Sequence, residues 1–477
     1  MNYRMIGNIL GWLLLFESIF LAVPLLTAAI FWEAEFWVFL GTAAFCLAAG
    51  VLITRKKPAN TTLYSREGFV IVALSWIVLS LFGALPYFLS GVIPSYVDSV
   101  FEAASGFSTM GATVFPEVES LPKSILMWRS FTHWVGGMGV LVFIMAFLPL
   151  SGGQNMHIMK AESPGPSVSK LVPHVRTTAL LLYSIYLILT VTEFVTLIIL
   201  GMDPFEALNT AFSTAGTGGF GVRNDSMGSY SPAIQIAVTV FMLMFGINFN
   251  TYFFLGRFKL REAFTTEVIV FLLVVFSSTA IIAVNISGLY PDMGESVRHS
   301  AFTVASIIST TGFSTEDFNL WPELSRSMIV LLMFIGSCAG STGGGIKVSR
   351  FLILFKGIRK ELEILVHPKQ VKKIKVDGRT IEHEVVRSVN VYMVCYVLVF
   401  SISMLVLSFD NYDLITNFTA VAAAINNVGP GLELAGPASN YSVFSEPTKI
   451  VLIFDMLVGR LELFPILLLF SPTTWKK

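Results

Sequence analysis

Apolar stretches of about twenty residues, the length an α-helix needs to cross about 30 Å of hydrocarbon, recur at 7–31, 36–53, 69–92, 126–150, 177–201, 233–255, 267–290, 327–356, 388–408 and 448–470. They predict ten membrane-spanning helices. The first run follows Met1 to Arg4 and stays apolar for about 25 residues, longer than the core of a signal peptide, so it reads as a retained span. The polar gaps between the spans are of two alternating kinds. One kind is basic: Arg55, Lys56 and Lys57 with Arg66; Lys160, Lys170 and Arg176; Arg257, Lys259 and Arg261; and a long stretch from Lys347 to Arg387.

The other kind carries a short polar segment with glycine, four times along the chain: Ser108-Thr109-Met110-Gly111-Ala112-Thr113, Ala215-Gly216-Thr217-Gly218-Gly219-Phe220, Ser309-Thr310-Thr311-Gly312-Phe313-Ser314 and Asn426-Asn427-Val428-Gly429-Pro430-Gly431. Each is preceded by an amphipathic stretch of two to three turns (98–107, 205–212, 298–308 and 415–425), too short to cross a bilayer. These stretches read as re-entrant pore helices. Non-helical backbone survives at membrane depth only where protein or a water-filled path satisfies its polar groups, so four such interruptions facing one axis imply a pore. Glycine supplies the positive φ that lets successive carbonyls line such a path. The helix carbonyl ends favour a cation there.

Composition agrees with a membrane protein. Hydrophobic residues make up 54% and charged residues 13%, against roughly a quarter charged in soluble domains. The mean hydropathy is +0.74. Net charge is zero, which gives no argument for nucleic acid, but the two signs are segregated. The positive-inside rule places every basic gap in the cytoplasm, together with both termini. The glycine segments then fall on the outer side, among Asp98, Glu117, Glu119, Asp203, Asp225, Asp292, Glu295, Glu316, Asp317, Glu323, Asp410, Asp413 and Glu433. That charge would concentrate cations at an outer mouth.

Cys46, Cys338 and Cys395 lie far apart in apolar stretches, and the six histidines form no metal or catalytic constellation, so no enzyme chemistry is expected. Five glycines crowd into positions 336–345 inside the eighth apolar stretch. Each glycine weakens a helix by about 1 kcal/mol relative to alanine, so the helix should break there. The phosphate-loop order fails, because Ile346 separates Gly345 from Lys347 and Val348 takes the hydroxyl position. Lys347 stands at the inner end of the break, where snorkelling to the interface is one reading. The basic stretch 356–375 reads as a solvated loop or as a docking surface for a soluble partner or lipid head groups.

These motifs resemble the TrkH/TrkG/KtrB superfamily of potassium-translocating subunits, over nearly the whole chain and most closely in its TrkH branch. The carriers are the four glycine segments, the run Gly336-Ser337-Cys338-Ala339-Gly340-Ser341-Thr342-Gly343-Gly344-Gly345-Ile346-Lys347, the signature Val458-Gly459-Arg460-Leu461-Glu462, and the two extra N-terminal spans. The resemblance implies an all-α polytopic fold in which two N-terminal helices (1–65) precede four helix–pore helix–helix repeats (66–165, 166–262, 263–378 and 379–477) around one pore. It implies a potassium filter of Thr109, Met110, Gly111, Thr217, Gly218, Gly219, Thr310, Thr311, Gly312, Asn427, Val428 and Gly429. It further implies a gating loop with Gly336, Gly340, Ser341, Thr342, Gly343, Gly344, Gly345 and Lys347, and a cation barrier at Arg460. Expected with these are a homodimer in a bacterial inner membrane and a cytosolic TrkA-type ring that itself carries ATP/ADP or NAD(H); this chain binds no cofactor beyond K⁺.

Three points stay open in the sequence. In the second repeat either Gly218 or Gly219 is the filter glycine, with Gly219 favoured because Gly219-Phe220 parallels Gly312-Phe313. Arg460 has a structural alternative, a pair with Glu462, Asp455 or loop carbonyls. An ion-coupled symporter of K⁺ with H⁺ or Na⁺ is the rival function, with Glu17, Glu193 and Arg460 as its few intramembrane ionisable groups. The fourth wall lacks threonine and Arg223 follows the second, so unequal walls predict a filter that prefers potassium and passes some sodium or rubidium.

Overall fold

The computed structural model describes residues 1–55, 58, 63–139, 175–369 and 372–475. The inner half of the span expected at 126–150, the boundary expected at 165, and Lys56, Lys57, Lys160, Lys170, Lys476 and Lys477 lie outside the described residues. Among the described residues the regular structure is helical, apart from one short antiparallel hairpin that pairs Lys375–Val376 with Arg379–Thr380.

The first span, Tyr3–Phe20 continued by Ala22–Phe31, packs against Phe36–Thr54. Their approach is close because both carry glycine at the crossing. A Cβ on Gly50 would lie 2.9 Å from the Gly11 carbonyl oxygen, the small-residue contact that draws membrane helices together. Four further long apolar helices follow, Ser65–Leu89, Thr177–Ile199, Thr266–Asn285 and His383–Asp410. Apolar side chains such as Ile188, Phe276, Val394 and Leu405 stand exposed on the last three, where lipid rather than protein is the apolar partner.

After each of these four comes a short helix: Tyr96–Ser108, Pro204–Gly216, Met293–Ile308 and Leu414–Asn426. At 13 to 16 residues each is about 20–24 Å long, short of a bilayer core. Their starts are fixed by capping. Ser95, Asp203, Asp292 and Asp413 accept hydrogen bonds from backbone amides of the first turn, partners for N–H groups that the helix itself leaves unsatisfied.

The next helices run back, and here the structure departs from the continuous spans predicted by hydropathy. The sequence places a break only in the third repeat. Within the described residues, all four end or turn before the predicted span is complete. Lys123–Gly137 gives way to Gly139 at φ +83°. Pro232–Gly246 bends by 96° into Phe249–Leu255. Glu323–Ile335 stops at Gly336 and resumes as Val348–Val366, and Glu446–Arg460 is separated from Phe464–Phe470 by Glu462 and Leu463 at positive φ. Packing is one reason. A Cβ on Gly136 would lie 1.8 Å from the carbonyl oxygen of Phe107, and one on Gly459 2.0 Å from that of Ile425. These carbonyls belong to the last turns of the first and fourth short helices, so the glycines seat those helix ends.

The stretch from 356 also differs from a plain solvated loop. The helix Val348–Val366 extends through more than half of it, and the hairpin begins at its end.

Candidate functional site

The four short helices converge and end alike. Each is followed by a residue in the left-handed region, Thr109, Thr217, Thr310 and Asn427 at φ +59°, +54°, +60° and +53°. In each, the next amide donates back to the helix: Met110 to Ser105, Gly218 to Ser213, Thr311 to Ser306 and Val428 to Ala423, at 2.8–2.9 Å. A glycine at positive φ comes next: Gly111, Gly219, Gly312 and Gly429. Repetition of the same turn aligns Gly219 with the other three and puts Gly218 in the place of Met110, Thr311 and Val428.

The four turns form a closed ring. A Cβ on Gly111 would lie 1.8 Å from the Gly218 carbonyl oxygen, one on Gly219 2.1 Å from that of Thr311, one on Gly312 2.3 Å from that of Val428, and one on Gly429 2.7 Å from that of Met110. Each glycine thus faces the carbonyl of the next segment, and the fourth returns to the first. No side chain fits at any of the four positions. On one side of the ring, a cavity of about 200 Å³ is lined by all four glycines together with Thr113, Ser314 and Pro430.

Behind the ring lies a support that sequence reasoning missed. The hydroxyls of Ser105, Ser213 and Ser306 donate to the carbonyls of Ala112, Phe220 and Phe313 at 2.6, 2.8 and 2.6 Å. The signal was present as a serine six residues before each of three glycines. Ala423 occupies that place in the fourth segment, where the Tyr441 hydroxyl instead donates to the Gly429 carbonyl at 3.0 Å.

Between the first two segments, a buried ion pair braces the wall. Arg129 Nε donates to Glu102 Oε1 at 2.7 Å, and Arg129 also reaches the Gly221 carbonyl and the Thr113 hydroxyl. Glu102 accepts from the Val114 amide at 3.0 Å. His133 spans the same gap, its Nδ1 2.7 Å from the Gly106 carbonyl and its Nε2 accepting from the Phe220 amide at 3.3 Å. Those partners require a neutral ring with the proton on Nδ1. The ring also explains the second glycine, since a Cβ on Gly218 would lie 2.2 Å from His133 Cγ.

The break 336–347 lies against the other side of the ring. The Gly344 amide donates to the Thr310 hydroxyl at 2.6 Å and the Gly345 amide to the Asn426 carbonyl at 3.0 Å. Gly340 and Cys338 bond to the bend of the second repeat through Phe249 and Gly246 at 3.0 Å each. Glu267, also missed in the sequence, accepts from the amides of Ala339 and Ser349 at 2.7 and 3.1 Å and so ties the two ends of the break together. Thr342 donates to the Phe245 carbonyl, and the Ser337 and Ser341 hydroxyls bond to each other at 2.9 Å.

Lys347 does not snorkel. It is 2% exposed, and its ammonium turns back to the Gly343 carbonyl and the Ser337 hydroxyl, because the break is enclosed by protein and its unpaired carbonyls offer the nearer partner. Arg460 donates to the carbonyls of Thr342, Gly136 and Gly137 at 2.8, 2.5 and 2.6 Å. Of the alternatives open in the sequence, loop carbonyls hold it, while Glu462 pairs with Arg350 and Asp455 accepts from Ser403. Arg460 therefore joins the interrupted helices of the first, third and fourth repeats. Beside it a cavity of about 90 Å³ is lined by Gly343, Gly344, Lys347, Arg460, Glu462 and Trp76 among others.

Glu17 and Glu193 are buried but line neither cavity. No group of His, Cys, Asp and Glu suited to a metal occurs among the described residues.

Comparison with known proteins bears on the whole chain. The family described as "TrkH: Cation transport protein" matches residues 35–477. The Trk system potassium uptake protein TrkH of Escherichia coli (strain K12) is 36% identical over 487 aligned positions, covering 100% of both chains. The Trk system potassium uptake protein TrkG of the same organism is 32% identical over 484, covering 100% of this chain and 99% of that one. The crystal structure of the potassium transporter TrkH from Vibrio parahaemolyticus superposes with a TM-score of 0.90 at 34% identity, over 100% of both chains. With its long apolar helices, this chain is a multi-pass membrane protein and belongs to the TrkH family of cation transport proteins.

Proposed function

We propose that this protein takes up potassium across the bacterial inner membrane, with the ring of Gly111, Gly219, Gly312 and Gly429 as its selectivity filter. The observation that carries this reading is the closed set of contacts in which each glycine meets the carbonyl of the following segment. Backbone carbonyls of 109–111, 217–219, 310–312 and 427–429 replace the hydration shell of K⁺, while the carbonyl ends of four short helices add negative potential. The membrane potential contributes about 2.3 kcal/mol per charge per 100 mV and drives accumulation.

The break 336–347 acts as the gate, since it abuts the ring and must be displaced before an ion can leave. Arg460 holds it and sets a positive barrier on the ion path. A cytosolic nucleotide-carrying ring of the TrkA type opens it, contacting the basic stretch after Lys347, and two copies of this chain form the working unit. The filter prefers potassium and passes some sodium or rubidium. Relatives named as potassium uptake proteins over their full length support this substrate. Ion-coupled symport gains no support, because Glu17 and Glu193 stand away from both cavities.

Currents from the purified protein in planar bilayers provide the test. Potassium currents that follow voltage and rise in Arg460→Ala are expected; slow flux locked to a second ion overturns the channel reading.

A further inference from the structure

A third cavity, of about 590 Å³, lies between the helix Val348–Val366 and the hairpin, far in sequence from the glycine ring, and is lined by Lys356, Arg359, Lys360, Lys372, Lys373 and Lys375 with Ile374. Six cations that converge on one concavity repel one another, and the local carboxylates offset only part of that. Glu363 pairs with Arg359 and Lys372, and Glu361 with Lys360. Lys356, Lys373 and Lys375 pair with no carboxylate among the described residues.

The cradle is held in shape by contacts to the backbone and to a neighbouring helix. Lys356 Nζ donates to the Lys375 carbonyl at 2.8 Å, and Ile374 is buried, reaching to 3.9 Å from where a Cβ on Gly357 would lie. The hairpin turn is strapped to a neighbouring span, since Asp377 accepts from the Thr266 amide at 2.8 Å and from its hydroxyl. A solvated charged face needs neither concavity nor such a strap. Ammonium and guanidinium groups that line one volume match the oxygens of phosphate through charge-assisted hydrogen bonds.

We propose that this cavity binds a phosphate ester carrying two or more negative charges, or the clustered headgroups of anionic phospholipid, the shared chemistry being phosphate oxygens. The proposal goes beyond the transport reading and is tested without measuring flux.

The purified full chain in phosphatidylcholine nanodiscs is titrated with inorganic pyrophosphate by calorimetry. In a second arm, native mass spectrometry reads which lipid is retained from nanodiscs of mixed phosphatidylcholine and phosphatidylglycerol. Saturable pyrophosphate binding identifies a soluble source, and selective retention of phosphatidylglycerol identifies the membrane. In either case K356Q/K373Q/K375Q weakens binding by about tenfold or more, the single K373Q by less, and K259Q, at an exposed lysine that does not line the cavity, leaves it unchanged. Absence of saturable binding in both arms, or equal binding by wild type and K373Q and by the triple variant, overturns the proposal.

Discussion

Three walls of the glycine ring and the fourth reach one backbone shape by different chemistry. In the first three, the support is local: Ser105, Ser213 and Ser306 bond across the turn that their own helix forms. In the fourth, Ala423 leaves that place apolar, and Tyr441 reaches in from the segment that follows. The Asn427 amide, Nδ2, adds a bond to the Met456 carbonyl at 3.0 Å and fastens this wall to the helix Glu446–Arg460. The backbone is therefore what the four repeats share, while the side-chain support differs: the serines reach the carbonyl after the glycine, and Tyr441 reaches the carbonyl of Gly429 itself. A buried carbonyl must find a donor wherever the chain can supply one.

The first wall can be broken hardest. Arg129→Ala leaves Glu102 buried and unpaired, and a loss of about 3–5 kcal/mol is expected. A markedly lower thermal midpoint in detergent checks it, and Tyr441→Phe in the fourth wall should fall far short of that drop.

Next comes the contrast within the second wall. Gly218→Ala presses its methyl into the His133 ring, an overpacking worth about 1–3 kcal/mol, and in a His133→Ala background, which already forfeits the bonds to Gly106 and Phe220, the further loss from Gly218→Ala should be small. Gly219→Ala meets the Thr311 backbone at positive φ, so the same partner substitution should leave it defective. Thermal midpoints of the four variants decide between these two roles.

Smaller effects separate the local from the distant support. Ser306→Ala and Tyr441→Phe each leave a buried carbonyl with one donor fewer, a cost of about 1–3 kcal/mol, and both should lower the preference for potassium in reversal-potential measurements. Ala423→Ser supplies to the fourth wall the hydroxyl present in the other three, and it should shift stability by less than about 1 kcal/mol. A large destabilisation there would mean that the fourth helix end is not equivalent to the others.

Much of this arrangement is legible in the sequence because it rests on local patterns. Span length, the shortness of the four inserted helices and the Thr-x-Gly spacing of three of the segments follow from hydropathy and from the conformational freedom of glycine. The sequence also favours Gly219 in the second segment, as the repeated turn has it, but the reason that Gly218 is glycine as well lies with His133, 85 residues earlier by the numbering. The Glu102–Arg129 pair has a separation of 27 residues, and Glu267 caps amides 72 and 82 residues away, so no short window contains both partners.

The break in the second returning helix escapes hydropathy because Phe245-Gly246-Ile247 stays apolar, and that in the fourth because Arg460 and Glu462 are single charges set between apolar stretches that continue on both sides. Lys347 reads as an interfacial lysine by position alone, whereas enclosure of the break by protein gives its ammonium a carbonyl partner inside.

The ring itself is the central claim, and reversal potentials under opposed potassium and sodium gradients test it most directly. Wild type should favour potassium, and Gly312→Ser, which sets a side chain against the Val428 carbonyl, should bring the two permeabilities close together. A Gly312→Ser protein that conducts with unchanged selectivity would contradict the account.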